Sequence, residues 1–205
     1  MSTKEDILDA AMAVFGKHGF RGGTIRDICD RAGANVAAVN YHFHDKASLY
    51  TEVLQYAYRN AGTGEPMPTL ADAPDNPAAQ LLAWIDWYVR RLLHSGGTDV
   101  GRLMAREMTE PTAALDDLAK GAVHHVFSEL GRLIDVASGG TLTERELKLR
   151  CIAVVGQCLV FHTSRAMLER LDPPHFGSED AGEISQHIAQ WTIRSFDLSN
   201  VDSTT

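Results

Sequence analysis

Two short helical patterns meet at Gly33, and their closeness limits what the first third of this chain can build. Ile25, Ile28, Cys29 and Ala32 repeat at helical spacing over about two turns and stop at the glycine. Thr24 stands where an N-cap belongs. Asp27 follows three residues later, as in a capping box with a shorter acid. Asn35 can cap the next short helix, which the pattern carries through Val39 to Tyr41. The residue between them must bend the chain sharply, and glycine tolerates the positive φ this requires. Ile28 and Val39 can then pack the two helices together at a steep angle. The opposite face of the second helix is left open, with Asn35, Ala37, Ala38, Asn40 and His42 as its exposed candidates. These side chains are small, or polar and uncharged. A helix that enters the major groove needs such a face, because small groups allow close approach and amides bond base edges.

The remaining chain is helical in pattern almost throughout. Val/Ile/Thr runs with period-two alternation are missing, so the expected class is all-α. Ile7, Ala11, Val14 and Phe15 mark a first helix of about fifteen residues, with Thr3 as its cap and Gly19 as its C′ residue. Asp45 can cap a fourth helix carrying Leu49, Val53, Tyr56 and Ala57. Gly62, Gly64, Pro66, Pro68, Pro74 and Pro77 then crowd into seventeen positions and break helical continuity. The expected organisation is a three-helix helix-turn-helix head joined by the fourth helix to a helical effector-binding and dimerisation bundle. Its bounds are 1–58 for the head, 59–77 for a connection, 78–199 for the bundle and 200–205 for a disordered tail.

Within the bundle, Leu81 to Leu93 is apolar on more than one face and reads as a buried helix. A shorter helix is expected from Val100 to Met108. One from Pro111 to Val136 is weakened by Gly121 and Gly131 and closed by Gly139-Gly140. Thr143 and Glu146 form a capping box that opens a long helix to about Leu171, where Pro173-Pro174 stops it. A last helix covers Glu179 to Leu198.

Net charge is −8, which at first argues against a nucleic-acid partner. Its distribution matters more than its sum. Residues 1–60 hold seven Lys/Arg against seven Asp/Glu, so the whole excess of acid lies downstream. A neutral head can approach phosphate if its basic groups share one face. No run of eighteen apolar residues and no apolar leader is present, so a cytoplasmic protein with no membrane partner is expected. The three cysteines, in apolar stretches and without a CxxC pair, read as buried reduced thiols.

The run Thr24-Ile25-Arg26-Asp27-Ile28, then Ala32-Gly33-Ala34-Asn35, then Tyr41-His42-Phe43-His44-Asp45-Lys46 with Leu49-Tyr50 resembles the DNA-binding head of the TetR family. The resemblance spans about residues 5–58 without a gap. It implies phosphate contacts from Thr24, Tyr41, His42 and Lys46, and base contacts from residues 35–40. A hydroxyl and an imidazole N–H are good phosphate donors, and Lys46 would open a helix whose free N–H groups add anion affinity. Thr24 reads equally as a cap and nothing more. Ala37-Ala38-Val39-Asn40 departs from the commoner family pattern. With the surroundings of Arg106-Glu107 and Gly156-Gln157-Cys158, it is similar to a branch with a CecR-type C-terminal domain. The resemblance implies a repressor that a small molecule releases from its operator.

Two heads held about 34 Å apart read consecutive major grooves, so a dimer is expected. The last two helices are the candidates to hold it. Leu147, Cys151, Val154, Val155, Cys158 and Leu159 form one stripe, with Ile152 and Phe161 elsewhere. Ile184, Ile188 and Trp191 form another, with Ile193 and Phe196 apart from it. For an effector site the candidates are Trp84, Tyr88, Met104, Arg106, His124, Gln157, Phe161 and His162, polar groups and aromatic walls within apolar segments. Each could also be ordinary core or interface. Cys158 and His162 lie i, i+4, but nothing completes a tetrahedral metal set, so neither metal nor cofactor is expected. An all-α enzyme is the rival class. No set of nucleophile, base and orienting group is apparent to support it.

Overall fold

The computed structural model describes residues 4–62, 64–72, 75–171 and 178–198. Its helices are α1 (Lys4–Gly22), α2 (Ile25–Ala32), α3 (Val36–Phe43), α4 (Lys46–Asn60), α5 (Pro77–Ser95), α6 (Asp99–Thr109), α7 (Ala114–Leu118), α8 (His124–Ala137), α9 (Glu144–Thr163), α10 (Arg165–Leu171) and α11 (Ala181–Leu198). Among the described residues there is no strand, as the periodicity predicts. The chain divides into two compact units. One joins Met1–Ala61 with Ser95–His124, and the other joins Gly62–His94 with His125–Thr205.

The first unit is built on α1 to α4. Ile7, Phe15, Ile28, Val39, Phe43, Leu49, Tyr50 and Leu54 are almost fully buried in one core, which Leu103 of α6 also enters. Each such side chain contributes roughly 1.5–3 kcal/mol by leaving water. Phe15 meets the Tyr50 ring edge-on at 4.9 Å, and Phe20 lies 5.0 Å from the same ring. The caps expected at Thr24, Asn35, Asp45 and Thr143 are present. Asn35 Oδ1 accepts from the Ala38 N–H at 2.8 Å, and Asp45 Oδ1 from Ser48 at 2.7 Å. Gly33 ends α2 in the left-handed conformation (φ 62°, ψ 27°). Gly19 also has positive φ (71°), but one more turn follows it to Gly22. A Cβ at Gly19 would lie 3.1 Å from Arg106 Cδ, so the missing side chain also admits α6 against α1.

Three expectations need correction. The helix expected over Pro111–Val136 is split into α7, a π-helical turn at Ala119–Val123, and α8. Gly121 causes the break with non-helical backbone (φ −96°, ψ −105°), whereas Gly131 stays within α8. The long helix expected to reach Leu171 ends at Thr163. Ser164 takes φ −101° and ψ 9°, and its carbonyl starts α10 by accepting from Met167 and Leu168. Serine accommodates this sparsely populated region without proline or glycine to announce it. Trp191 does not join the buried stripe of Ile184 and Ile188 but is 63% exposed. Pro173-Pro174, the side chain of Phe196, and the expected cap and tail (Thr3 and residues 200–205) lie outside the described residues.

The second unit buries Leu81, Trp84, Ile85, Tyr88 and Val89 of α5. Leu130, Leu133 and Ile134 of α8, Cys151, Val154, Val155 and Cys158 of α9, and Ile184 and Ile188 of α11 are buried as well. Ser185 donates to Asp86 at 2.9 Å, tying α11 to α5, and Arg150 donates to Ser195 at 3.0 Å, tying α9 to α11. The Gly/Pro-rich connection is pinned here too. Trp87 Nε1 donates to the Glu65 carbonyl at 3.1 Å, and the Leu70 N–H donates to the buried Glu129 carboxylate at 2.8 Å. Among the described residues no helix is long and apolar enough to cross a membrane.

Candidate nucleic-acid interface

The amphipathicity of α3 decides what it presents. Val39 and Phe43 are buried at 1% exposure each, which seats one side of the helix in the core. Asn40 and Ala37 are exposed, and Tyr41 is 80% exposed. Ala38 differs from its neighbours, being partly buried against the core. Asn35 is exposed, but its amide oxygen is committed to the cap, leaving its NH₂ group for any outside partner. His42 is half-buried and stands edge-on to the Tyr41 ring at 5.1 Å.

The flanking groups are held by local chemistry. Thr24 Oγ1 donates to Asp27 Oδ2 at 2.7 Å and accepts from the Asp27 N–H at 3.1 Å, so its hydroxyl serves the capping box. The same contact lowers the Asp27 carboxyl below its ordinary range. Lys46 lies at the start of α4, half-buried, with Nζ 3.4 Å from the Arg21 carbonyl and 4.9 Å above the Phe20 ring. Between α3 and α4, the Asp45 N–H donates to the Phe43 carbonyl at 2.8 Å. His44, the central residue, has φ 65° and ψ −57°. That is a γ-turn of the rare positive-φ kind, strained for any residue with a side chain. Sequence reasoning missed it, because no glycine or asparagine marks the position.

The effector candidates are distributed over both units. Met104 and Arg106 pack on the head, Met104 against its core and Arg106 Nη2 on the Lys17 carbonyl at 3.3 Å. His124 is exposed. In the second unit Trp84 is fully buried and stacks on Tyr88 at 5.0 Å, while Phe161 and His162 are half-buried on α9. Gln157 is exposed and donates to the Ala153 carbonyl of its own helix. A cleft of about 370 Å³ between α5 and α11 is lined by Ala79, Leu82, Ala83, Asp86, Gly182, Ser185 and Gln186, none of them an expected ligand residue. Trp84 Nε1 and Gln80 Oε1 are buried without a hydrogen-bond partner among the described residues. The described residues hold no cluster of three metal-ligating groups.

Residues 7–53 match the family "Bacterial regulatory proteins, tetR family". Residues 77–197, more than half the chain, match "HTH-type transcriptional dual regulator CecR, C-terminal domain". The chain belongs to the TetR family, with a CecR-type C-terminal domain. It is 26% identical to the HTH-type transcriptional dual regulator CecR of Shigella flexneri over 196 residues, 90% of this chain and 87% of that one. It is 38% identical to the HTH-type transcriptional repressor NicS of Pseudomonas putida over 90 residues, 43% of this chain and 42% of that one. The fold is similar to that of the fatty acid degradation regulator FadR from Bacillus halodurans. The TM-score is 0.68 at 14% identity, over 93% of this chain and 98% of that one. Membership of the TetR family makes the protein a DNA-binding transcription regulator and not an enzyme. The head expected from Gly33 and its flanking caps is the matched N-terminal segment.

Proposed function

We propose that this TetR-family chain acts in the cytoplasm as a homodimeric repressor that binds operator DNA and lets go when a small molecule occupies its second unit. The open face of α3 carries the reading. Ala37, Asn40 and Tyr41 are exposed while Val39 and Phe43 anchor the helix. Tyr41, His42 and Lys46 serve phosphates at the flanks, and Asn35 offers its free NH₂ group. Ala38 permits close approach, and Thr24 contributes chiefly as a cap, its hydroxyl being engaged with Asp27.

Two exposed apolar faces support the dimer. Leu149, Ile152 and Val160 follow one stripe of α9, and Trp191 stands out from α11, each more than 40% exposed. The buried Trp84 indole N–H and Gln80 carbonyl oxygen support the effector, since unpaired buried polar groups cost about 1–3 kcal/mol each and a bound acceptor and donor would recover that. Connectivity supports coupling: the chain leaves the second unit at His94, builds α6 and α7 into the head, and returns at His125.

Gel retardation with promoter DNA from the protein's own locus, at low salt and without ligand, tests the reading. A discrete retarded complex that specific competitor removes is expected. If no fragment is retarded, or every fragment is retarded equally, the repressor reading fails.

A further inference from the structure

Val36 is the first helical residue of α3 and is 51% exposed, although it is a large apolar side chain. It lies one helical turn before Asn40, so both point from the same side of the helix, about 6 Å apart along its axis. Ala37 lies between them, exposed and too short to keep a base edge away. The neighbouring amide, Asn35, is not equivalent to Asn40. Asn35 holds its carbonyl oxygen on the Ala38 N–H, which fixes the amide toward its own helix and leaves one lone pair over. The whole Asn40 amide is available. An asparagine with both groups available matches adenine, which offers N7 as acceptor and N6–H as donor in the major groove.

An exposed valine has a different complement. Pressed on guanine or on the cytosine amino group, it would strip water from polar atoms and return no hydrogen bond. Thymine alone presents a methyl group in the major groove. Six ångströms of helix corresponds to one or two steps of the base-pair ladder.

We propose that Val36 is a specificity-determining residue that packs on a thymine 5-methyl group, one or two base pairs from an adenine read by Asn40. This rests on α3 being the base-reading helix. Each operator half-site then carries two A·T pairs at that spacing, and the methyl group itself is what is recognised.

The test begins with selection of binding sites from random duplex DNA by the full-length protein. Deoxyuridine, which lacks only the methyl group, then replaces each selected thymine in turn, and 7-deazaadenine replaces each adenine. Loss of one methyl contact is worth about a fourfold fall in affinity per half-site. One thymine per half-site is expected to show that fall with the wild type, and V36A is expected to be indifferent to it. The 7-deazaadenine penalty is expected one or two pairs away and is expected to vanish in N40A. Because Val36 is on the surface, V36A should melt like the wild type, and its melting curve establishes that it is folded. Enrichment of a site that no uracil weakens, or a V36A variant that keeps the full uracil penalty, overturns the proposal and leaves base reading by α3 intact. Failure to enrich any sequence overturns both.

Discussion

The Tyr50 hydroxyl donates to the Glu107 carboxylate at 2.7 Å, at a point where Glu107 has no exposure to solvent. The other carboxylate oxygen accepts from the Thr112 N–H at 2.8 Å and from its hydroxyl at 2.9 Å. One buried acid therefore fixes α4 to the turn between α6 and α7. Removing the hydroxyl in Y50F leaves a buried carboxylate oxygen short of its donor, at a cost of about 2 kcal/mol. The urea midpoint is expected to fall accordingly. Burial, and then the Glu107 bond, raise the Tyr50 phenol above its ordinary value of 10.0. A raised acid stabilises the fold below the unfolded value and loses that contribution as pH rises through the folded one. Wild-type stability should therefore drop above pH 10.0, and Y50F should lack that component. An unchanged midpoint in Y50F would remove the bond from the account of the head's stability.

His44 offers a gain in place of a loss. Its positive φ places a β-carbon where only glycine is free of strain. H44G should raise the stability of the protein by about 1 kcal/mol, read as a higher melting temperature, because strain relief outweighs the added freedom of the unfolded chain. A lower melting temperature would mean that the imidazole contributes more contact than its backbone costs.

These two sites mark where the sequence stops being legible. Thr24, Asn35, Asp45 and Thr143 were identifiable as caps because a cap is settled within four residues. The turn at Gly33 follows the same logic, and from it the head. Ser164 ends α9 without a local breaker, so only the packed structure reveals it. Tyr50 and Glu107 are 57 residues apart, and no local rule pairs them. The effector candidates divide between the two units for a related reason. Apolar pattern marks Met104 and Arg106 as inward-facing, but it does not say that α6 serves the head's core.

Acid should weaken the α4 cap in a definite window. Backbone and side-chain bonds from Ser48 hold the Asp45 carboxyl below its ordinary value of 3.8. A lowered acid contributes stability above the unfolded value and loses it as pH falls through the folded one. The loss should therefore begin near pH 3.8 and grow below it. D45N keeps a capping oxygen but cannot titrate, so its stability should decline less steeply there. Parallel curves for the two proteins would assign the acid sensitivity elsewhere.

Phosphate and base contacts separate by their response to salt. Lys46 carries charge near the flank of α3, held at the start of α4 by Arg21 and Phe20. K46A should lower operator affinity and reduce the slope of log affinity against log salt by about one. Y41F removes a hydroxyl without changing charge, so affinity should fall several-fold with the slope intact. If K46A leaves the slope untouched, the ammonium serves the fold and not the DNA.

The thiols and the apolar face of α9 give opposite expectations for one helix. Burial pushes Cys151 up to about 11 and Cys158 up to about 12, so neither should react with a thiol reagent at neutral pH until the protein unfolds. The other side of α9 exposes Leu149, Ile152 and Val160, with Gly156 in the same stripe. A glycine there lets a second helix approach closely, and the flanking apolar groups would then leave water together. A stable dimer needs about 1,200 Å² or more of buried surface, which a stripe this long can begin to supply with Trp191 of α11. I152E places a charge at the centre of that surface and should convert a dimer to a monomer in sedimentation while leaving the cysteines protected. Operator affinity should fall with it, because each head would then bind its half-site alone. A variant that stays dimeric with its thiols still protected would move the interface to another face.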